Sequence, residues 1–254
     1  MRRRTLILAV GTWSALVTGL ALRIPALAQS TSILVGAAGS LQPVLTEIDT
    51  LFTEAHPDIE VEYTFANSGS VQQQVEQGAP LDVVFFAAAN FMDTLQDTNL
   101  IVEGSRQDLL SNRMALIVPQ DSTVMIEDFA DLTEEGIEVL SIGDLQAMPA
   151  GRYAAEILTE AGVFAELRPK MVFASTVREI LTAVEQGNAD AGILFTSDAQ
   201  LSDQVRVVTI ADPLTPIVYP AAMIKDSDAA QTYLEYLAGA EATEVFLQYG
   251  FSIL

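Results

Sequence analysis

The sequence predicts an α/β protein made of two similarly built lobes, each with a central mixed sheet flanked by helices. Apolar runs typical of strands alternate with amphipathic helical patterns along almost the whole chain. A short internal repeat indicates two lobes: SVQQQVEQGAPLDVVFFAAA (70–89) and TVREILTAVEQGNADAGILFTSDA (176–199) each contain a helical pattern, the tetrapeptide VEQG, an aspartate and a buried strand. The halves are joined by predicted strands and not by a Gly/Ser linker, which favours a binding protein that closes about a hinge.

The elements of the first half follow from the spacing of their apolar residues. An apolar run at 33–37 predicts a strand. Val44, Ile48 and Phe52 then fall on one face of a helix predicted at 40–55. Further strands are predicted at 59–65, 82–87 and 113–118, and further helices at 68–77 and 91–95.

The second half repeats this order, because its apolar residues again follow first the spacing of a strand and then that of a helix. Its last pattern is read as one long helix near the C-terminus. Strands are predicted at 138–142, 171–173, 191–195, 205–210 and 217–224, and helices at 151–161, 176–186 and 229–249.

Residues 1–28 are predicted to be a secretory signal peptide. A basic segment, Arg2 to Arg4, precedes a mostly apolar run from Leu6 to Leu22, and the tripeptide ALA at 26–28 is a small-x-small cleavage site. Cleavage at its end leaves residues 29–254, enough for one large or two medium domains. The chain has no cysteine, which excludes disulfides, thiolate chemistry and lipid attachment to an N-terminal cysteine. We therefore expect a periplasmic protein.

The charge of the chain excludes several classes of partner. Four of the 12 basic residues and none of the 34 acidic ones fall within the first 28 positions, so the remainder has a net charge of −26. Such a surface repels nucleic acid and anionic lipid, and neither is expected as a partner. We attribute the acidity to solubility and not to a ligand site.

Four predicted strand-to-helix junctions carry small and hydroxyl residues: GAAGS (36–40), ANSGS (66–70), MPAG (148–151) and ASTV (174–177). Ligands of open α/β sheets bind beyond the carboxyl ends of strands, where helix N-termini attract anions. Two junctions from each lobe would face one cleft, in which neutral N–H and O–H donors hold a small oxyanion. The alternative is ordinary helix capping, worth about 1 kcal/mol at each site, which does not explain the neighbouring Gly and Ala residues.

Enzymatic functions have little support in the sequence. The single histidine, His56, precedes Pro57 and lies far in sequence from the junction serines. The chain contains no Gly-x-Ser-x-Gly elbow, no Walker A loop and no His-rich metal signature. No catalytic residue and no cofactor is therefore expected. Arg152 and Arg178 are the only basic residues near the proposed cleft, and surface salt bridges are their expected role.

Five segments resemble successive motifs of the periplasmic molybdate-binding proteins of ABC transporters: AAGSLQPVLTEI, FANSGSVQQQVEQGAPLDVVFFAA, GDLQAMPAGRYAAEIL, SDAQ and YLAGAEATEVFLQYGF. The resemblance covers nearly all of residues 29–254 and keeps the motif order. It implies the type II periplasmic-binding fold, with lobe one built from 29–111 plus 216–254 and lobe two from 112–215. It also implies delivery of molybdate, and of tungstate, to a membrane permease and its ATPase. We expect the protein to be a monomer.

The same resemblance implies the ligand contacts, because neutral groups alone hold the tetrahedral oxyanion in that family. From lobe one the donors would be the hydroxyls of Ser40 and Ser68. From lobe two they would be the backbone N–H groups of Ala150 and Val177. Molybdenum or tungsten would be bound only as the oxyanion, with no metal ligand from the protein.

One position departs from the family pattern. The family usually adds a tyrosine hydroxyl at the end of the strand in GILFTSDA, where this sequence has Phe195. The change removes one donor, for which Thr196 or Ser197 are candidates to compensate. Gly39 and Gly69 are further candidate pocket residues.

Two rival functions are compatible with these residues. Another tetrahedral oxyanion, phosphate or sulfate, would suit the same neutral donors. A secreted serine hydrolase that uses Ser40 or Ser68 is the remote alternative.

Overall fold

The structure, a computed structural model, describes residues 31–254. The predicted signal peptide, residues 1–28, lies outside the described residues. Within the described range no helix combines the length and the apolar character needed to cross a membrane. The described chain forms two mixed β-sheets with helices packed against them, as the sequence predicts.

The nine strands predicted from the sequence are all present, and two further short strands add to one of the two sheets. Within residues 31–254 the strands, in chain order, are β1 (Thr31–Ala38), β2 (Ile59–Ala66), β3 (Val83–Phe85), β4 (Gln107–Ser111), β5 (Met114–Pro119), β6 (Leu140–Gly143), β7 (Met171–Ala174), β8 (Ala191–Phe195), β9 (Val205–Ala211), β10 (Val218–Met223) and β11 (Ser252–Ile253).

The helices bury one face on the sheets, as their apolar spacing predicts. Over the same residues the α-helices are α1 (Gln42–Ala55), α2 (Ser68–Glu76), α3 (Ala89–Asp97), α4 (Pro149–Glu160), α5 (Phe164–Leu167), α6 (Val177–Glu185), α7 (Thr196–Ala199), α8 (Asp228–Leu237) and α9 (Ala240–Gln248). Short 3-10 helices cover Gly39–Leu41, Phe129–Thr133 and Arg168–Lys170.

The single C-terminal helix predicted at 229–249 is wrong. The chain forms α8 and α9 instead, and Gly239 between them has an extended backbone that caps the start of α9. The apolar spacing continues across the break because both helices bury residues, such as Leu237 and Ala242, in the same core. Strand β4 is not predicted from the sequence, because QDLLS buries only Leu110 and shows little alternation of buried and exposed residues.

The two sheets come from different parts of the chain. The six-stranded sheet has the order β11-β4-β10-β3-β1-β2, and β1 pairs in parallel with β2 and β3. The five-stranded sheet has the order β7-β6-β8-β5-β9, and β6 pairs in parallel with β7 and β8. We call the first sheet and its helices lobe one, and the second sheet and its helices lobe two. The chain passes between them after β4 and after β9.

The internal repeat forms the same helix–turn–strand unit in both lobes. Helices α2 and α6 are each followed by a glycine with positive φ, +81° at Gly78 and +69° at Gly187, a conformation that glycine adopts without strain. An aspartate then accepts a backbone hydrogen bond from the neighbouring strand or the residue before it: Asp82 from the N–H of Leu34 at 2.7 Å, and Asp190 from that of Val139 at 2.8 Å. Each aspartate thus fixes the start of a buried strand, β3 or β8.

Candidate functional site

The four junctions noted in the sequence meet between the two lobes. They lie where β1 and β2 of lobe one, and β6 and β7 of lobe two, lead into helix N-termini. Together they form most of the lining of a cavity of about 30 Å³. It is lined by Ala38, Gly39, Ser40, Ala66, Asn67, Ser68, Ala87, Met148, Pro149, Ala150, Ser175, Thr176, Val177 and Phe195.

The cavity is small and its lining is uncharged. Its volume is two to three times the roughly 10–15 Å³ that one water molecule requires. All of the lining residues belong to the described part of the chain, and none of them is acidic, basic or a histidine. The cavity therefore suits a solute of a few heavy atoms that is held by neutral groups, and not a sugar or a peptide.

Six of the seven candidate residues line this cavity, and Gly69 does not. The six are Gly39, Ser40, Ser68, Ala150, Val177 and Phe195. The N–H of Gly69 instead donates to the carbonyl oxygen of Ala147, at 3.4 Å, across the two lobes. A Cβ on Gly69 would lie 3.1 Å from that oxygen, so the glycine allows the lobes to approach each other closely.

Ser68 lines the cavity, and its hydroxyl donates to no acceptor among the described residues. Its Oγ accepts a hydrogen bond from the N–H of Ala87, at 3.1 Å, and the side chain is buried. Helix α2 is capped by the preceding residue, because Asn67 Oδ1 accepts from the N–H of Ser70 at 2.7 Å. Ser68 is therefore not needed as a cap, and its O–H can donate to a ligand.

Ser40 also lines the cavity, in the short helical segment that follows β1. Its Oγ is 3.4 Å from the hydroxyl oxygen of Tyr219, which also receives a hydrogen bond from Asn112 Nδ2 at 3.4 Å. Burial raises the pKa of Tyr219 well above its usual value, so this hydroxyl stays protonated. Both distances are long for hydrogen bonds. The hydroxyl of Ser40 is thus available to a stronger acceptor in the cavity.

Lobe two presents backbone N–H groups from α4 and α6. Pro149 has no N–H, so Ala150 carries the first N–H of α4, and Val177 carries the first of α6. Among the described residues neither group has a backbone or side-chain acceptor, as expected for the first turn of a helix. Thr176 caps α6 by accepting from the N–H of Glu179 at 3.1 Å. Capping and candidate ligand contacts therefore fall on adjacent residues.

Eight of the lining residues were not among the candidates taken from the sequence. Seven of them belong to the four junction strings, whose composition was the signal. The eighth, Ala87, follows β3 and enters the cavity because β3 lies beside β1 in the sheet. Nothing in its local sequence distinguishes it from any other buried strand residue.

The hydroxyls considered as replacements for the missing tyrosine do not line the cavity. Phe195 is buried at its wall. Thr196 Oγ1 donates to Asn112 Oδ1 at 2.7 Å, and Ser197 Oγ accepts from Asn112 Nδ2 at 2.8 Å. Both hydroxyls are thus engaged with Asn112 and lie outside the cavity lining.

The arrangement does not support nucleophilic catalysis. The imidazole of His56 packs against Phe52 and Tyr236, with ring centroids 4.8 Å and 6.0 Å apart, at the far end of α1. No ionisable side chain in the described lining could take the proton from Ser40 or Ser68. Residues 31–254 also contain no group of three or more His, Cys, Asp or Glu residues that could hold a metal ion.

A model of the family described as bacterial extracellular solute-binding protein matches residues 33–252. The chain belongs to this family. Its members are solute-binding proteins and not enzymes, which agrees with the uncharged, base-free cavity.

Two relatives of this solute-binding protein are named molybdate-binding protein ModA. The chain is 34% identical to the one from Haemophilus influenzae over 232 residues, which cover 89% of this chain and 91% of that protein. It is also 34% identical to the one from Escherichia coli over 238 residues, covering 90% and 91%. The resemblance to molybdate-binding proteins read from the motifs is confirmed.

A solved structure confirms the predicted two-lobed fold. The periplasmic molybdate-binding protein of Azotobacter vinelandii matches with a TM-score of 0.78, at 20% identity, over 87% of this chain and 99% of that one. At this identity the match speaks for the fold alone.

One buried carboxyl of this solute-binding protein makes its stability depend on pH. Burial raises the pKa of Asp198 from 3.8 to about 8, partly offset by Arg178, and its Oδ2 has no hydrogen-bond partner among the described atoms. The folded protein therefore binds more protons than the unfolded chain between these values. The contribution of Asp198 to stability is greatest below about pH 4 and is lost as the pH rises to about 8.

We expect Asp198→Asn to be more stable than the wild type at pH 8 by on the order of 1–3 kcal/mol, because it removes a buried carboxylate without a partner. The advantage should shrink towards pH 4. Thermal unfolding at several pH values measures it, and Asp203→Asn, at an exposed position five residues further along the chain, is the control. An advantage that does not change with pH, or that the control shares, would contradict the assignment.

Proposed function

We propose that this protein captures molybdate, and also tungstate, between its two lobes and delivers it to the membrane permease and ATPase of an ABC import system. The observation that most supports this proposal is that four helix N-termini converge on one small, uncharged cavity. The 34% identity to proteins named molybdate-binding supports the choice of ligand.

In this proposal the hydroxyls of Ser40 and Ser68 donate from lobe one, and the N–H groups of Ala150 and Val177 donate from lobe two. A hydrogen bond to a charged group is worth roughly 1.5–3 kcal/mol, and helix N-termini add a favourable potential for an anion. Neutral donors can therefore bind a dianion even though the protein is strongly acidic. Ligand contacts from both lobes favour the closed arrangement, which the permease recognises.

The lining also separates classes of oxyanion. The described cavity contains no carboxylate that could accept a proton from a partly protonated anion such as hydrogen phosphate. Molybdate, tungstate and sulfate carry no proton at neutral pH, so a site that offers only hydrogen-bond donors suits them. Sulfate is therefore the stronger of the two oxyanion rivals, and size must distinguish it from molybdate.

The remaining parts of the proposal concern location and organisation. We place the protein in the periplasm, as a monomer, after removal of residues 1–28. The family's extracellular members support this location. We place the lobe boundaries at 111/112 and 215/216, next to the two chain crossings.

Isothermal titration calorimetry of residues 29–254, stripped of ligand, tests the proposal with molybdate, tungstate, sulfate and phosphate in separate titrations. Tight binding of molybdate and tungstate, with little heat from sulfate and phosphate, is the expected result. Binding of sulfate alone would preserve the oxyanion site and overturn the ligand. Binding of none of the four would overturn the proposed function.

Phe195→Tyr is expected to bind molybdate about tenfold to a hundredfold more tightly than the wild type. The new hydroxyl would add one hydrogen bond to a charged ligand, worth about 1.5–3 kcal/mol, at the cavity wall. Calorimetric titration measures the change, and thermal unfolding without ligand separates it from any change in stability. Equal or weaker affinity would contradict the expectation.

A further inference from the structure

Arg152 joins the two lobes beside the cavity. It lies in α4 of lobe two, two residues after Ala150. Its Nη2 donates to Asn90 Oδ1 at 2.5 Å, and its guanidinium carbon lies 4.9 Å from the centre of the Phe91 ring. Both partners belong to the first turn of α3 in lobe one.

These contacts differ from the salt bridge expected of an arginine at the rim. Arg178, the equivalent arginine after the second junction of lobe two, pairs with Glu185 of its own helix at 3.8 Å and keeps 65% of its side chain exposed. Arg152 makes no salt bridge with any described residue. The prediction of a surface salt bridge is therefore wrong for Arg152, whose partners are a neutral amide and an aromatic ring.

The guanidinium of Arg152 loses part of its hydration in this position. Its Nε is buried and has no hydrogen-bond partner among the described atoms. The surrounding contacts must offset that loss, because a buried donor without a partner is unfavourable. A guanidinium stacked on an aromatic face and bonded to an amide oxygen provides such an offset. Both contacts cross from one lobe to the other, so both must break when the lobes separate.

We propose that Arg152 stabilises the closed arrangement of the lobes and thereby slows release of the bound ligand. The inference rests on the proposed function, since it assumes that release requires opening. Arg152 is a positioning residue in this role: it does not line the cavity, and it acts by holding α4 against α3. The N–H of Gly69 on Ala147, at 3.4 Å, lies at the same lobe boundary and would break with it.

A simple attraction between the positive charge and the anion would have a different signature. Long-range attraction raises the association rate and weakens with salt. A contact that exists only in the closed arrangement acts mainly on the dissociation rate, because it must break before the ligand leaves. The two roles are therefore separable by kinetics.

The test measures molybdate release from residues 29–254, with tyrosine fluorescence as the signal in a stopped-flow chase. The variants are Arg152→Met, Asn90→Ala and the double variant, and Arg178→Met is the control for loss of one charge near the cleft. Arg152→Met should release ligand about 10- to 100-fold faster, with Asn90→Ala faster to a smaller extent. The double variant should match Arg152→Met alone, because both changes remove one shared contact.

Several outcomes would overturn the inference. One is a release rate for Arg152→Met within twofold of Arg178→Met, and another is an effect confined to association. Small-angle scattering without ligand provides an independent readout, since Arg152→Met should be more expanded than the wild type and Arg178→Met should not. Equal dimensions for all three proteins would also overturn it. Failure of the wild type to bind any oxyanion would count against the proposed function, while the scattering comparison would still decide the role of Arg152.

Discussion

Ser68→Ala is expected to lose about tenfold to a hundredfold in oxyanion affinity and also to unfold more easily. In the proposed function the hydroxyl donates to the ligand, a bond worth roughly 1.5–3 kcal/mol, while its oxygen accepts from the N–H of Ala87 at 3.1 Å. Alanine removes the donor and leaves that buried N–H without its partner, which costs roughly 1–3 kcal/mol of stability. Calorimetric titration and thermal unfolding measure the two effects separately.

Ser70→Ala is the matched control, two residues further along the same helix. The backbone N–H of Ser70 is bound to Asn67, and its side chain does not line the cavity. The control should keep wild-type affinity and nearly wild-type stability. If Ser68→Ala binds as tightly as Ser70→Ala, the role proposed for Ser68 in ligand binding is wrong.

Gly151→Ala is expected to lower stability by about 3 kcal/mol, at the upper end of the effects of overpacking. A Cβ at Gly151 would collide with the carbonyl oxygen of Gly143 and lie 2.5 Å from that of Asp144, and both obstacles are backbone atoms. The end of β6 would have to move away from the start of α4, which carries the N–H of Ala150. We therefore expect a drop of roughly 6–12 °C in Tm together with weaker ligand binding.

Gly39→Ala provides the comparison, because the nearest atom to its added Cβ is the carbonyl oxygen of Ala66 at 3.9 Å. This variant should unfold, without ligand, within about 1 kcal/mol of the wild type. A Gly151→Ala protein as stable as Gly39→Ala would show that the strand and helix are not packed as closely as described.

The junction strings were predictable from sequence because their chemistry is local. Gly and Ala beside a hydroxyl residue, between a strand pattern and a helix pattern, indicate a backbone that something approaches closely. Five of the six candidate residues in these strings accordingly line the cavity. Gly69 lies outside it because its small size serves contact between the lobes, and the sequence does not distinguish these two uses of a glycine.

Features that depend on pairing across the fold could not be predicted. From the sequence, Arg152 resembles any surface arginine near the cleft, because its partners, Asn90 and Phe91, lie about sixty positions earlier and carry no charge. Asn112 and Tyr219 meet behind the cavity only because the chain crosses between the lobes twice. Local propensity contains no information about such meetings.

The position of β10 in the middle of the first sheet also determines the order in which the molecule can assemble. Among the described strands β4 is paired with β10 and β11 alone, and β10 separates it from β3, so the six-stranded sheet stays incomplete until residues 218–223 are available. The strands of the other sheet, by contrast, come from one uninterrupted stretch between Met114 and Ala211. Contacts close in sequence form fastest. Lobe two is therefore the natural first folding unit, and the sheet of lobe one is completed only when strands β10 and β11 return to it after lobe two.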